Sequence, residues 1–347
     1  MRYGIVGVGL GLLLVLLAGC SDDDPVLPLP PEPDPADTTS HSYIWHTDTL
    51  GGVLSVVNDV FCFSETDAWA VGYFYFIDSS GQEDRKRNAN AAHWDGRKWT
   101  LVRIDPPFQG KPSFAEAQSV FCITQYDMWV DSRHWNGVNW QGYYLTPIGR
   151  VGGTYKIWGD RSDNVYFVGN HGSIIHWDGS THTQMGPDEP TAWLRDAWGW
   201  NGTIYVAATN TDQWSFPRGH LIRIEQGRIT GTEDPDHGSQ VAVWGMNDTW
   251  YAGGSAYLNR KINGVWERVL NPDHWITGIR GTALNDVCIF VQQGEVIHFN
   301  GSTFASVLQE DLGFFTYSIA VAGSMVLACG HLNNYAVVRR GYRQPVR

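Results

Sequence analysis

The chain has 347 residues with 43% hydrophobic and 13% aromatic content, ample for a real core in one large or two smaller domains. Its formal net charge of −12 argues against nucleic acid and against anionic membrane surfaces as partners. The 17 Trp and 39 Gly favour strands and tight turns over helices.

Residues 1–19 read as a targeting segment. Arg2 is a minimal basic start, and residues 4–19 are uncharged and apolar. That stretch is shorter than the roughly 20 residues of a spanning helix. It ends Leu17-Ala18-Gly19-Cys20. This ending resembles the lipobox of bacterial lipoproteins. The resemblance implies cleavage before Cys20, a lipid thioether on its sulfur, and membrane contact through the lipid anchor only. An ordinary signal peptide with an incidental Cys is the other reading. Ser21-Asp22-Asp23-Asp24 resembles the surface-export signal of Bacteroidetes lipoproteins, and also reads as a solvated spacer. Residues 20–41 then form an acidic, Pro-rich tether that is extended and does not pack. The expected location is the bacterial outer membrane, facing the surface or the periplasm.

From residue 42 the chain repeats itself. "DAWAVG" (67–72) with "HWDG" (93–96) returns as "DMWV" (127–130) with "HWNG" (134–137), "NVYFVG" (164–169) with "HWDG" (176–179), and "DVCIFV" (286–291) with "HFNG" (298–301). Three units are degenerate, ending in "RIEQG" (223–227), "KINGVW" (261–266) and "VRRG" (338–341). Anchored on Gly96, Gly137, Gly179, Gly227, Gly264, Gly301 and Gly341, the spacings are 41, 42, 48, 37, 37 and 40. Each unit reads as four short strands, A to D. An apolar strand A such as "VFCF" or "YKIWGD" is followed by an aromatic strand B, then a strand C closing on the Gly. Strand D often starts near an aromatic, as at Trp99, Trp140, Trp266 and Phe304. Asp-Gly and Asn-Gly are strong hairpin signals, and about 41 residues in four strands is a propeller-blade period.

The expectation is therefore all-β: a seven-bladed β-propeller of four-stranded antiparallel blades over 42–343, with a short tail at 344–347. The last unit lacks a strand D. "YIWHTDT" (43–49) is an orphan strand that would close the ring from the N-terminus and remove an exposed edge. The units resemble the propeller repeats of secreted and lipid-anchored bacterial proteins, roughly Val-Trp-Gly … Asn-Asp-Val-Tyr-Ala-Val-Gly … His-Tyr-Asp-Gly … Trp. That resemblance implies the fold and is nearly silent on function.

The recurring His-Trp-Asp-Gly sits at the C–D hairpin. Its Asp or Asn is expected to cap the turn and its Gly to supply positive φ. His93, His134, His176 and His298 then lie in different blades and do not converge on a metal. Cys62 and Cys122 each stand five residues before a repeat Asp (Asp67, Asp127), so they occupy equivalent strands. With Cys288 and Cys329 they lack metal-site spacing and read as buried free thiols, although an outer compartment permits a disulfide.

Candidate chemistry lies in the connections. The B–C connections of blade 1 (73–90) and blade 4 (about 209–220) are long and carry Tyr73, Phe74, Tyr75, Trp214 and Phe216. Blades 1 and 4 stand nearly opposite, so these aromatics are candidates for a clamp on a glycan or peptide. The D–A connections add acids: Asp188 and Glu189; Glu233, Asp234 and Asp236 with His237; and Asp273 with His274. Asp234, Asp236 and Asp273 are the weak metal candidates, for Ca²⁺, or a pair of rim acids would serve as glycosidase acid and nucleophile. The alternative is an acidic, solvated rim. No Gly-x-Ser-x-Gly elbow, P-loop, HExxH or Asp box is present. The composite expectation is a monomeric, non-catalytic envelope lipoprotein without a cofactor, whose propeller face binds a glycan, peptide or partner protein. A glycan-active hydrolase and an assembly factor are the alternatives.

Overall fold

A computed structural model describes residues 38–108, 111–112, 114–143, 145, 153–186, 192–210, 219–255, 257–309 and 313–346. The β-branched and aromatic runs pair as the repeat demands. Seven four-stranded antiparallel sheets form, each with its strand A innermost. The inner strands are Val56–Ser64, Val120–Thr124, Thr154–Arg161, Ala192–Trp200, Gln240–Met246, Ile276–Ala283 and Phe314–Ala322, in blades 1 to 7. A small hairpin, Pro107–Phe108 with Lys111–Pro112, sits between blades 1 and 2.

The ring closes through the N-terminus. Tyr43–Val53 pairs antiparallel with Tyr335–Arg343 as the outer strand of blade 7. Trp45 donates its indole N–H to the Val307 carbonyl of blade 6 at 2.8 Å, and Asp48 is held by Arg340. Ahead of that strand, His41 Nδ1 lies 3.0 Å from His298 Nδ1 of blade 6, and His41 Nε2 meets the Thr303 hydroxyl. The core is divided into seven wedges, one between each pair of neighbouring blades. The wedge joining blades 7 and 1 buries Leu50, Phe74, Leu327 and Cys329.

Blade 1 departs from expectation. Its B–C connection is not an open loop from residue 73. Strands Asp67–Ile77 and Glu83–Trp94 pair beyond the body of the blade, leaving only residues 78–82 as a turn. Asp78 caps that turn by accepting the Ser80 and Gln82 amides. The Tyr-Phe-Tyr-Phe-Ile run has strong β propensity, so the two arms zip together instead of looping. The four cysteines of the propeller, Cys62, Cys122, Cys288 and Cys329, are buried free thiols. Among the described residues no helix is long and apolar enough to cross a membrane.

Candidate functional site

The repeated phrase resolves into turn chemistry. Asp95, Asn136, Asp178 and Asn300 each accept two backbone N–H groups from the residues two and three further on. Gly96, Gly137, Gly179 and Gly301 take φ between +84° and +99°. The histidine reaches across to the first residue of strand B. The Nε2 atoms of His93, His134, His176 and His298 lie 2.7–3.0 Å from Asp67, Asp127, Asn164 and Asp286. The rings of His93, His134 and His176 also pack on Trp69, Trp129 and Tyr166. In the degenerate blades 4, 5 and 7, Arg223, Arg260 and Arg340 pair across the sheet with Tyr205, Tyr251 and Leu327, as His93 pairs with Trp69.

The central channel is the candidate site. Its mouth is a cavity of about 460 Å³ on the face of the B–C and D–A connections. Six inner strands carry a register shift at the same place: between Val57 and Asp59, Thr154 and Lys156, Leu194 and Asp196, Gln240 and Ala242, Ile276 and Gly278, and Thr316 and Ser318. A bulge leaves one residue without a partner and re-aims its side chain. Those residues are Asn58, Tyr155, Arg195, Val241, Thr277 and Tyr317, and all six line the cavity. Gln118, at the matching position of blade 2 (four before Cys122, as Asn58 is four before Cys62), completes the circle.

Aromatic surface rims this circle. Trp275 and Tyr317 line the cavity and are 47% and 45% exposed, and Trp193 and Phe315 beside them are 37% and 43% exposed. Aromatics of this size are normally buried, so several on one rim indicate a contact surface. Phe315 stacks on His331 at 5.0 Å, and His331 Nδ1 lies 2.6 Å from the Tyr317 hydroxyl, so both rings are braced. The Arg195 guanidinium lies 5.0 Å from the Tyr155 ring centroid and 4.3 Å from that of Trp193.

Below the mouth a charged belt crosses the channel. Lys156 Nζ is 2.6 Å from Asp59, and Arg280 grips Asp196 through both amino nitrogens at 2.9 and 2.7 Å. Asp59 also accepts the Val120 amide of blade 2, and Asp196 the Val243 amide of blade 5, so each carboxylate clips its blade to the next. Beneath the belt a second cavity of about 140 Å³ is walled by Phe61, Phe121, Trp158 and Trp198. The channel is thus polar and aromatic at this mouth and mainly aromatic and aliphatic beneath the belt.

The other candidates fall elsewhere. Phe74 is corrected from an exposed clamp residue to a fully buried one: strand alternation turns it into the wedge between blades 7 and 1. Tyr73 and Tyr75 are half-buried on the opposite side of that strand. The Tyr73 hydroxyl accepts Asn88 at 2.6 Å, and neither tyrosine lines the cavity. Trp214 and Phe216 lie outside the described residues, as do Cys20, Asp188 and Glu189.

The weak metal candidates do not gather. Asp234 caps its own turn through the His237 amide. Asp236 accepts Gly238, Gln240 and Asn259 N–H groups, so its oxygens are engaged in organising the loop between blades 4 and 5. Asp273 is exposed. Among the described residues no three His, Cys, Asp or Glu side chains come together as a metal site. Glu233 is half-buried between blades 4 and 5 against Lys261, Tyr205 and Trp266. The mouth residues were missed because strand A reads as core. Superposing the repeats would reveal them: the position three before Phe61, Trp158, Trp198 and Trp244 is Asn58, Tyr155, Arg195 and Val241, four unlike residues at one place in the repeat.

Fold and channel together define a seven-bladed β-propeller. Solved propellers share it at low identity. YCF48 bound to D1 peptide aligns at 13% identity over 86% of this chain and 97% of that one, TM-score 0.61. The WD40 propeller domain of Doa1 aligns at 11% over 86% and 97%, TM-score 0.62. A catalytically inactive virginiamycin B lyase from Staphylococcus aureus with quinupristin aligns at 10% over 87% and 100%, TM-score 0.62. No family model matches the chain, and no curated protein matches it.

Proposed function

We propose that the protein is a non-catalytic binding propeller, held to the outer envelope by a lipid on Cys20, that seats a peptide segment of a partner protein across its channel mouth. One observation carries the binding reading. Six blades place a bulged side chain at one cavity, and exposed aromatics from blades 4, 6 and 7 rim it. Flat, braced rings at the centre of a concave site are the usual source of binding energy. Hydrolysis is less well supported at this mouth. Among the described residues the carboxylates lining it, Asp59 and Asp196, are held in ion pairs, and no His or Cys lines it. Precedent within the fold comes from YCF48, solved with D1 peptide. The lipid anchor rests on the Leu17-Ala18-Gly19-Cys20 sequence alone.

Peptide and glycan arrays probed with the protein separate the ligand classes. Peptide hits whose affinity falls about thirtyfold or more in Trp275→Ala, with melting temperature unchanged, are expected. Binding that survives both Trp275→Ala and Tyr317→Ala would overturn the placement. Cys20→Ala is expected to move the protein from the membrane to the soluble fraction, and unchanged fractionation would refute the anchor.

A further inference from the structure

We infer that the peptide segment bound at the channel mouth carries a carboxylate, and that Arg195 receives it. The inference rests on the peptide-binding reading above and adds the chemistry of the ligand. Among the described residues three basic side chains line the cavity: Lys156, Arg195 and Arg280. Lys156 and Arg280 are each neutralised by an aspartate. Arg195 is not. Among the described residues its guanidinium has no carboxylate and no hydrogen-bond acceptor, and its neighbours are the faces of Tyr155 and Trp193. Burial without a counter-charge lowers its pKa from the ordinary arginine value.

Among the described residues lining the cavity the balance is therefore one cation in excess, in a protein whose formal charge is −12. An anion drawn to this protein finds its counter-charge at the mouth. The two rings flank the guanidinium, and among the described residues no acceptor takes its N–H groups. A planar fork held in place is suited to a carboxylate, taken through two parallel N–H···O bonds. Lysine offers a point charge and no fork. Position favours a chain over a small free anion. Arg195 stands on blade 4 and the braced pair Phe315 and Tyr317 on blade 7, nearly across the ring. A segment with its carboxylate on Arg195 would lay its next residues over the aromatic rim.

The carboxylate could be a chain terminus or an Asp or Glu side chain, and the test separates the two. Random hexapeptide pools are measured against the protein in four arms: free or amidated C-terminus, each with Asp and Glu present or replaced by Asn and Gln. Loss of about ten- to a hundredfold in affinity is expected when the contributing acid is neutralised. Arg195→Gln should bind the acidic and neutral arms alike. Arg195→Lys should keep part of the preference. Trp275→Ala should weaken all arms and leave the preference intact. Equal binding of acidic and neutral pools to the native protein, or a preference retained in Arg195→Gln, would overturn the inference while leaving peptide binding standing. No binding in any arm would overturn both. A melting temperature within a few degrees of native shows that each variant is folded.

Discussion

Removing Tyr43–Val53 tests the ring closure most directly. The strand supplies blade 7 with its outer partner along Tyr335–Arg343. Three of its side chains reach further. Leu50 is 2% exposed in the wedge between blades 7 and 1, and truncating such a leucine costs about 2–5 kcal/mol. Asp48 binds Arg340 and accepts the Trp99 indole N–H of blade 1 at 3.0 Å, a charge-assisted set worth about 1.5–3 kcal/mol. Trp45 covers Gly341 and bonds the Val307 carbonyl of blade 6, adding about 1 kcal/mol for the hydrogen bond alone. Together these reach the order of the ~5–15 kcal/mol that holds a domain folded. The deleted protein also presents the bare edge of Tyr335–Arg343, a template for intermolecular pairing. The expected result is concentration-dependent association by size-exclusion chromatography and a lost or broadened thermal transition by circular dichroism. A synthetic peptide of residues 41–54 added in trans should restore a monomer by strand addition. Leu50→Ala alone should lower the melting temperature by roughly 4–20 °C, from about 2–5 kcal/mol at about 2–4 °C per kcal/mol. A deletion product that stays monomeric and melts within about 2 °C of the full chain would refute the reasoning.

Further outcomes follow from the channel, the thiols and the histidines. Arg280→Met should destabilise by about 3–5 kcal/mol in chemical denaturation, because Asp196 stays buried without its cation, whereas Trp275→Ala should leave the midpoint nearly unmoved. Burial pushes the Cys62 and Cys288 thiols up to about 12 and raises Cys122 and Cys329 as well, so iodoacetamide should label none of the four before unfolding and all of them after it, read by peptide mass mapping. Burial lowers His41 and His176, and takes His182, packed among Trp129, Tyr143, Phe167 and Trp177, down to about 4. The unfolded chain then binds more protons, so their contribution is complete above pH ~6.5 and is lost as pH falls through 6.5 towards 4. Asp131, lifted to about 6 by burial, acts with the opposite sign between about 6 and 4. The readout is therefore the difference between native protein and His182→Phe: the variant's melting temperature should fall less on acidification, and identical slopes would contradict the assignment.

The blade count, the strand order within a blade and the closing strand were legible in the sequence because each is written in near neighbours. Asp95-Gly96 makes its turn from its own side chain and its own positive φ, and the aromatic and β-branched "YIWHTDT" favours a strand whatever lies beside it. His93 paired with Asp67 was harder to see, since the partner stands 26 residues away on the adjacent strand. Phe74 shows where local reading fails. Tyr73, Phe74 and Tyr75 look alike in sequence, and only the pairing of the two long arms of blade 1 decides which ring turns into the wedge. The channel mouth was decided by tertiary structure alone. Asn58, Tyr155, Arg195, Val241, Thr277 and Tyr317 stand about one repeat or more apart in the chain and inside apolar strands. They become a site because the same bulge recurs in six inner strands and the closed ring points all six displaced side chains at one axis. The repeat dictates the bulge locally, but convergence is a property of the circle, and no stretch of sequence contains the circle.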